Sequence, residues 1–381
     1  MKTSYYFLSA VSVIFTLFPN NQVFCQQPVK AFNLGEKMDQ VTEVKLSDFA
    51  SDISYIPLEL TAKSLLDAVQ CIAVADDRLI VSTRKNLLKV FDLKGKYLND
   101  IGAIGKGPGE YIDVKAVYWD SKAKEVIVWN HMKTDLNFYT IGGKFIRSFH
   151  IPYPAQELFR LQNGSFIGGL VFPVQMGPKS SRYFLFNTDG MVEPLLASSA
   201  KPDTRVPGGF HMPVFCSLGN KDLFLPILSD TIFSVSGKKL SACYVLHAPG
   251  KIMPEYVYYG MGNMDQSNFM IVSSIFSLND HSLAISCKYQ KQHRIAVINT
   301  VTGKISVCKD LITNDIDGGA PLFNVLTKYN GYLYISYEAI GLITSKEKGM
   351  LNKPNNKFQK LLSGLTADSN PVIVKIKTKE N

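Results

Sequence analysis

Apolar and polar positions alternate on a short scale along most of the chain, with β-branched runs separated by turns that carry Asn, Asp or Gly. Helix-period stretches are scarce. One compound element recurs, an apolar strand, a glycine turn and a second strand, in VFDLKGKYLNDIG, FYTIGGKFIRSFHIP, LFNTDGMVEPLL, IFSVSGKKLSACYVL and VINTVTGKISVCKDL. The turn glycines are Gly95, Gly143, Gly190, Gly237 and Gly303, separated by 48, 47, 47 and 66 residues. A strand–turn–strand unit precedes each of them: AVADDRLIVST, VYWDSKAKEVIVWN, RLQNGSFIGGL, SLGNKDLFLPI and SLNDHSLAISC. A sixth such unit, KYNGYLYISYE, stands near the end. A repeat of this length marks a propeller or solenoid, and two hairpins per repeat make a four-stranded blade. The pattern therefore predicts an all-β, six-bladed β-propeller with four-stranded antiparallel blades. DRLIVST, KEVIVWN and GYLYISY are almost continuously apolar, as in sheets covered on both faces.

The blades are expected at about 71–102, 108–152, 155–196, 210–247, 268–311 and 320–379. Blade six is interrupted by residues 345–365, which Pro354 breaks, so a helix is expected only around Lys357 to Leu362. Its last strand, within NPVIVKIKTK, lacks an outer partner, and ISYIPLEL (53–60) lacks a blade. Pairing the two closes the ring, leaves no open sheet edge there, and makes residues 26–381 one domain.

The N-terminus carries Lys2, an apolar run at 5–18, Pro19 and a polar stretch ending VFCQQ, the layout of a secretory signal peptide covering residues 1–25. Cleavage after Cys25 predicts an exported protein, periplasmic, at the cell surface or secreted. The alternative, lipid anchoring at Cys25, meets a bulky Phe24 where a small residue is wanted. No second apolar span follows, so no transmembrane segment is expected in the mature chain.

The net charge of +9 falls to +8 once Lys2 leaves with the leader. Basic residues neither cluster in long runs nor interleave with aromatics, so no nucleic-acid partner is expected. Five cysteines, Cys71, Cys216, Cys243, Cys287 and Cys308, remain at irregular spacing and predict mostly free thiols. The six histidines, at 131, 150, 211, 247, 281 and 293, fall in no ligand spacing. Together with the missing EF-type loop this predicts no metal and no cofactor. A monomer is expected.

The glycine-rich stretch IGAIGKGPGEY (101–111) fails as a phosphate loop. Pro108 follows Gly107 and has no N–H, Glu110 repels anions, and no helix succeeds it. With the strand after it, the early YIPLE and the closing NPVIVKIK, this stretch resembles a six-bladed β-propeller family of exported proteins from Bacteroides-type bacteria. That family is itself similar to NHL-repeat propellers, and the likeness spans residues 41–379. It implies that the loop carries the chain from the outer strand of blade one to the inner strand of blade two. Gly105, Gly107, Pro108, Gly109 and Tyr111 then form a structural inter-blade joint, with glycines at positive φ and Tyr111 wedged between blades.

No nucleophile motif is present, neither G-x-S-x-G, S-x-x-K nor H-E-x-x-H. The long links after blades three and four place Arg205 and His211, then Tyr256, Tyr258, Tyr259 and Asp265, on loops of a rigid scaffold. These are the ligand-binding candidates, although the tyrosines serve equally to pack between blades. The expected function is non-enzymatic binding of a carbohydrate, peptide or partner protein at a loop-rich mouth of the central channel. The alternative is a hydrolase or lyase whose residues converge in the channel from several blades.

Overall fold

The structure is a computed structural model and describes residues 29–197, 212–253, 266–351 and 353–379. Six four-stranded antiparallel sheets form the blades of a propeller. In blades one to five the strands follow chain order. Their first, innermost strands are Val69–Ala75, Ala116–Asp120, Glu157–Arg160, Val214–Leu218 and Ile271–Ser277. In blade six the inner three strands are Thr327–Tyr329, Tyr332–Tyr337 and Val372–Thr378, and the fourth is Ala50–Pro57 from the opposite end of the chain. That closing strand pairs antiparallel with Val372–Thr378, placing Ile53 opposite Ile376 and Tyr55 opposite Val374. It begins three residues before the expected 53–60.

Period-two alternation decides which neighbour each side chain meets. In Arg78–Thr83 of blade one, Leu79 and Val81 join the core against blade six, while Ile80 between them joins the core against blade two. In Glu125–Asn130 of blade two, Val126 and Val128 face blade one, and Ile127 and Trp129 face blade three. All seven are buried. The interior is thus a set of wedges between blades, which explains the nearly continuous apolar runs.

A feature absent from the sequence reading is a strap over the outer edges of two blades. Lys30–Phe32 adds a fifth strand to blade four, parallel to Lys239–Leu246. A short helix, Leu34–Lys37, follows, and Val41 then bridges to Val307 on the outer strand of blade five. Leu34, Met38, Val44 and Leu46 are buried beneath it. Gly35 is required by contact, because a Cβ there would stand 2.8 Å from Ala248 Cα.

Antiparallel order gives the propeller two distinct faces. Links between blades arrive where first strands begin, and each hairpin between second and third strands opens on that same link face. The insertion of blade six, between Tyr332–Tyr337 and Val372–Thr378, therefore belongs to the link face. It holds two helices, Ala339–Glu347 and Asn356–Ser363. The second agrees with expectation; the first corrects the view that helix was confined to Lys357–Leu362. The strap enters from the far face, where Lys30 Nζ donates to Thr300 O at 2.9 Å.

All five described cysteines are free. Cys287 and Cys308 are separated by the strand Gln292–Asn299, and burial pushes their thiols up to about 12 and about 11. Thiol titration of the chain from Gln26 on should find five groups after denaturation and slow reaction before it at pH 8. Three or fewer after denaturation would reveal a bridge and refute the assignment.

Candidate functional site: the link-face mouth of the channel

The first strands of neighbouring blades approach one another and enclose the channel. At its link-face end a cavity of about 540 Å³ opens among the starting halves of the first strands of blades three, four and five. Phe159 and Phe215 form one wall with rings stacked at 5.4 Å and nearly parallel. Pro213, Ile271 and Ile275 add apolar surface, and Ser273 and Ser274 supply hydroxyls. The strand Ile271–Ser277 has a register shift between Val272 and Ser274, and the bulged Ser273 donates to Ser286 O at 3.1 Å. Bulges of this kind re-aim side chains near ligand sites.

Glu157 is the one ionisable side chain among the described residues that line this cavity. Burial raises its carboxyl pKa, while Lys115, at 3.6 Å, and His131 pull it back. His131 is gripped from both sides, by Asp113 at 3.5 Å and Gln156 at 3.2 Å, and its ring meets Trp129 edge-on. The polar cluster Asp113, Lys115, His131, Gln156 and Glu157 thus sits where blades two and three meet at the mouth. No His, Cys, Asp and Glu grouping fit to hold a metal occurs among the described residues.

The glycine-rich loop lies on the same face, over blades one and two, and its own chain fills it. Glu110 folds back so that its carboxylate accepts from Gly107 N at 2.7 Å. Gly105 N donates to Tyr111 O, and Ala103–Ile104 pairs parallel with Glu110–Tyr111. Tyr111 is 2% exposed and donates to Ile101 O at 2.9 Å; Tyr139 donates to Gly109 O at 3.0 Å. Gly109 has φ +73°, as expected of the crossing. Gly105 and Gly107 are not left-handed. Gly105 leaves space for the Glu110 carboxylate, since a Cβ there would fall 2.1 Å from Oε2, whereas a Cβ on Gly107 would meet only the end of that side chain at 3.1 Å.

The model of the family described as a domain of unknown function, DUF4934, matches residues 29–377, from the strap to the last strand. The chain belongs to the DUF4934 family. No curated protein matches it in sequence. Among solved structures it is similar to a candidate exported protein of Bacteroides fragilis NCTC 9343. The two share 15% identity with a TM-score of 0.73, over 93% of this chain and 100% of that one. It is also similar to a DUF4221 member from Bacteroides vulgatus ATCC 8482, at 12% identity and TM-score 0.52, over 87% of this chain and 97% of that one. At these identities the likenesses show the fold.

In this DUF4934 chain the ligand-binding candidates Arg205, His211, Tyr256, Tyr258, Tyr259 and Asp265 lie outside the described residues. The ends of the links that carry them are described, and they converge. Met212, Met253 and Met270 line a small apolar crevice of about 40 Å³ between blades four and five. Met212, Pro213 and Ile271 also reach the channel cavity. Glu157, Phe159, Phe215, Lys115 and His131 were missed by sequence reasoning. The usable signal was positional: Glu157, Phe159 and Phe215 all fall on first strands, the strands that face a propeller's channel.

Proposed function

We propose that this protein is an exported, non-enzymatic, NHL-like propeller, and that it binds a carbohydrate or peptide at the link-face mouth over blades three to five. The carrying observation is the cavity of about 540 Å³ with a stacked aromatic wall and one carboxylate. Aromatic faces take the apolar side of a sugar ring or a side chain, and a carboxylate at the edge fixes hydroxyl or amide donors. Export is supported by the leader-like residues 1–25 and by the description of the Bacteroides fragilis neighbour. Among the described residues no helix is long and apolar enough to cross a membrane. We place cleavage after Cys25, with a lipid anchor there as the alternative, and treat residues 26–381 as one monomeric domain.

A hydrolase or lyase reading would draw on the Asp113–His131 pair and on Glu157. Both ring nitrogens of His131 face partners, however, which leaves Glu157 as a lone carboxylate at the cavity, with no second acid or base among its described lining residues. Glycan and peptide arrays followed by calorimetry test the binding reading. Phe159→Ala and Glu157→Gln should each weaken a captured ligand by roughly tenfold, the loss of one aromatic contact or one charged hydrogen bond, whereas Phe215 is also stacked on Phe224 at 5.2 Å and its truncation would cost packing as well. Ligands indifferent to both changes, or empty arrays, would reject the mouth.

A further inference from the structure

The helical insertion of blade six carries chemistry that its packing does not use. Leu342, Phe358 and Leu362 point inward and form a local core with Ala320 and Val372. Outward stand Lys346, Lys348, Lys353, Lys357 and Lys360, all exposed, and none is in an ion pair among the described residues. From 338 to 363 the acids are Glu338 and Glu347, so this segment holds +3 of the chain's +9. In the same insertion, Met350 is 66% exposed and Ile340 is 44% exposed. The two helices divide the labour. Asn356–Ser363 turns Lys357 and Lys360 to solvent, while Ala339–Glu347 has no charge before Lys346 and presents Ile340.

Exposed cations alone would suit any polyanion. Exposed apolar side chains among them suit an anionic surface with an apolar layer beneath it. We propose that the insertion is a docking surface for a bilayer bearing anionic headgroups, with the lysines at the phosphates and Met350 and Ile340 at the acyl boundary. The link face is then turned toward the bilayer. The strap enters from the far face, away from this surface.

The test is co-sedimentation of the chain from Gln26 on, which lacks the apolar run 5–18, with two kinds of vesicle. One is phosphatidylcholine alone and the other is phosphatidylcholine mixed with phosphatidylglycerol. Partition into the mixed vesicles should exceed that into phosphatidylcholine by more than tenfold at low salt and fall as salt rises. Each lysine near such a surface is worth about fivefold, so Lys346→Glu with Lys357→Glu should reduce binding by well over tenfold. Met350→Ser should lower it severalfold with the salt slope unchanged. These side chains are exposed, so both variants should melt as the parent does. Equal binding to both vesicles, no binding to either, or lysine variants that bind normally would overturn the proposal. So would a Met350→Ser variant with full binding that soluble polyphosphate competes away, because the surface would then serve a soluble polyanion.

Discussion

Deleting residues 29–60 is expected to abolish the folded ring. The deletion removes the fourth strand of blade six and strips the outer edge of Val372–Thr378 along its whole length. Ile53, Ile56 and Leu58, all buried, go with it. At roughly 1.5–3 kcal/mol for each buried side chain, these three alone contribute about 5–9 kcal/mol. That rivals the roughly 5–15 kcal/mol that stabilises a typical domain. Phe32, Leu34, Met38, Val44 and Leu46 are lost as well, and the exposed strand edge invites aggregation. Deleting only residues 29–45 is a graded control. It uncovers the edges of blades four and five but leaves the ring closed, so a cooperative transition should survive at lower stability. Circular dichroism melting and size exclusion read both outcomes. A 29–60 deletion that melts cooperatively near the parent temperature would show that closure does not hold the ring.

The closing strand was legible because ISYIPLEL and NPVIVKIKTK were two strand-like runs without partners in an otherwise paired repeat. The strap was not. Its strand has three residues, too few to show a period, and it pairs in parallel with residues more than two hundred positions away. The two insertion helices differ in the same way. Asn355 accepts from Phe358 N at 3.0 Å, and Phe358 and Leu362 stand one turn apart on the buried side, so Asn356–Ser363 announces itself. Ala339–Glu347 holds Gly341, two isoleucines and Thr344, has no side-chain cap, and follows directly on the strand Tyr332–Tyr337. Tertiary contact at Leu342 holds it against weak local preference. The mouth was hidden for a different reason. Glu157, Phe215 and Ser273 belong to three blades, and each looks like an ordinary strand residue until the ring brings the first strands together. The long links drew attention through their aromatics; the described end of the first, Met212 and Pro213, reaches that cavity, and the described ends of the second, Met253 and Met270, line the crevice beside it.

Gly109→Ala should be among the most destabilising single-methyl changes on the link face. At φ +73° the new Cβ sits in the left-handed region, a penalty of about 1–2 kcal/mol. It would also stand 2.6 Å from Phe145 Cγ, whose ring packs at 5.7 Å on Tyr139, the residue that holds Gly109 O. Phe145 is half-buried and lies against the fully buried Tyr139, so yielding to the new methyl disturbs that packing, and such overpacking adds roughly 1–3 kcal/mol. A loss of about 2–5 kcal/mol in urea denaturation is therefore expected. Gly107→Ala should cost less. Its φ is not left-handed, and its Cβ would meet only the end of the Glu110 side chain, at 3.1 Å. Lys106→Ala should change stability by about 0.5 kcal/mol or less, since the loop uses the Lys106 carbonyl, which accepts from Lys133, and not its ammonium. A joint requires this order, Gly109 above Gly107 above Lys106. An anion site requires a different result, in which Lys106→Ala melts normally but abolishes phosphate-dependent stabilisation of the parent. The Glu110 carboxylate already occupies the Gly107 amide, so Lys106→Ala should leave any response of the melting to phosphate unchanged, and a phosphate shift of the parent that Lys106→Ala removes would refute the joint.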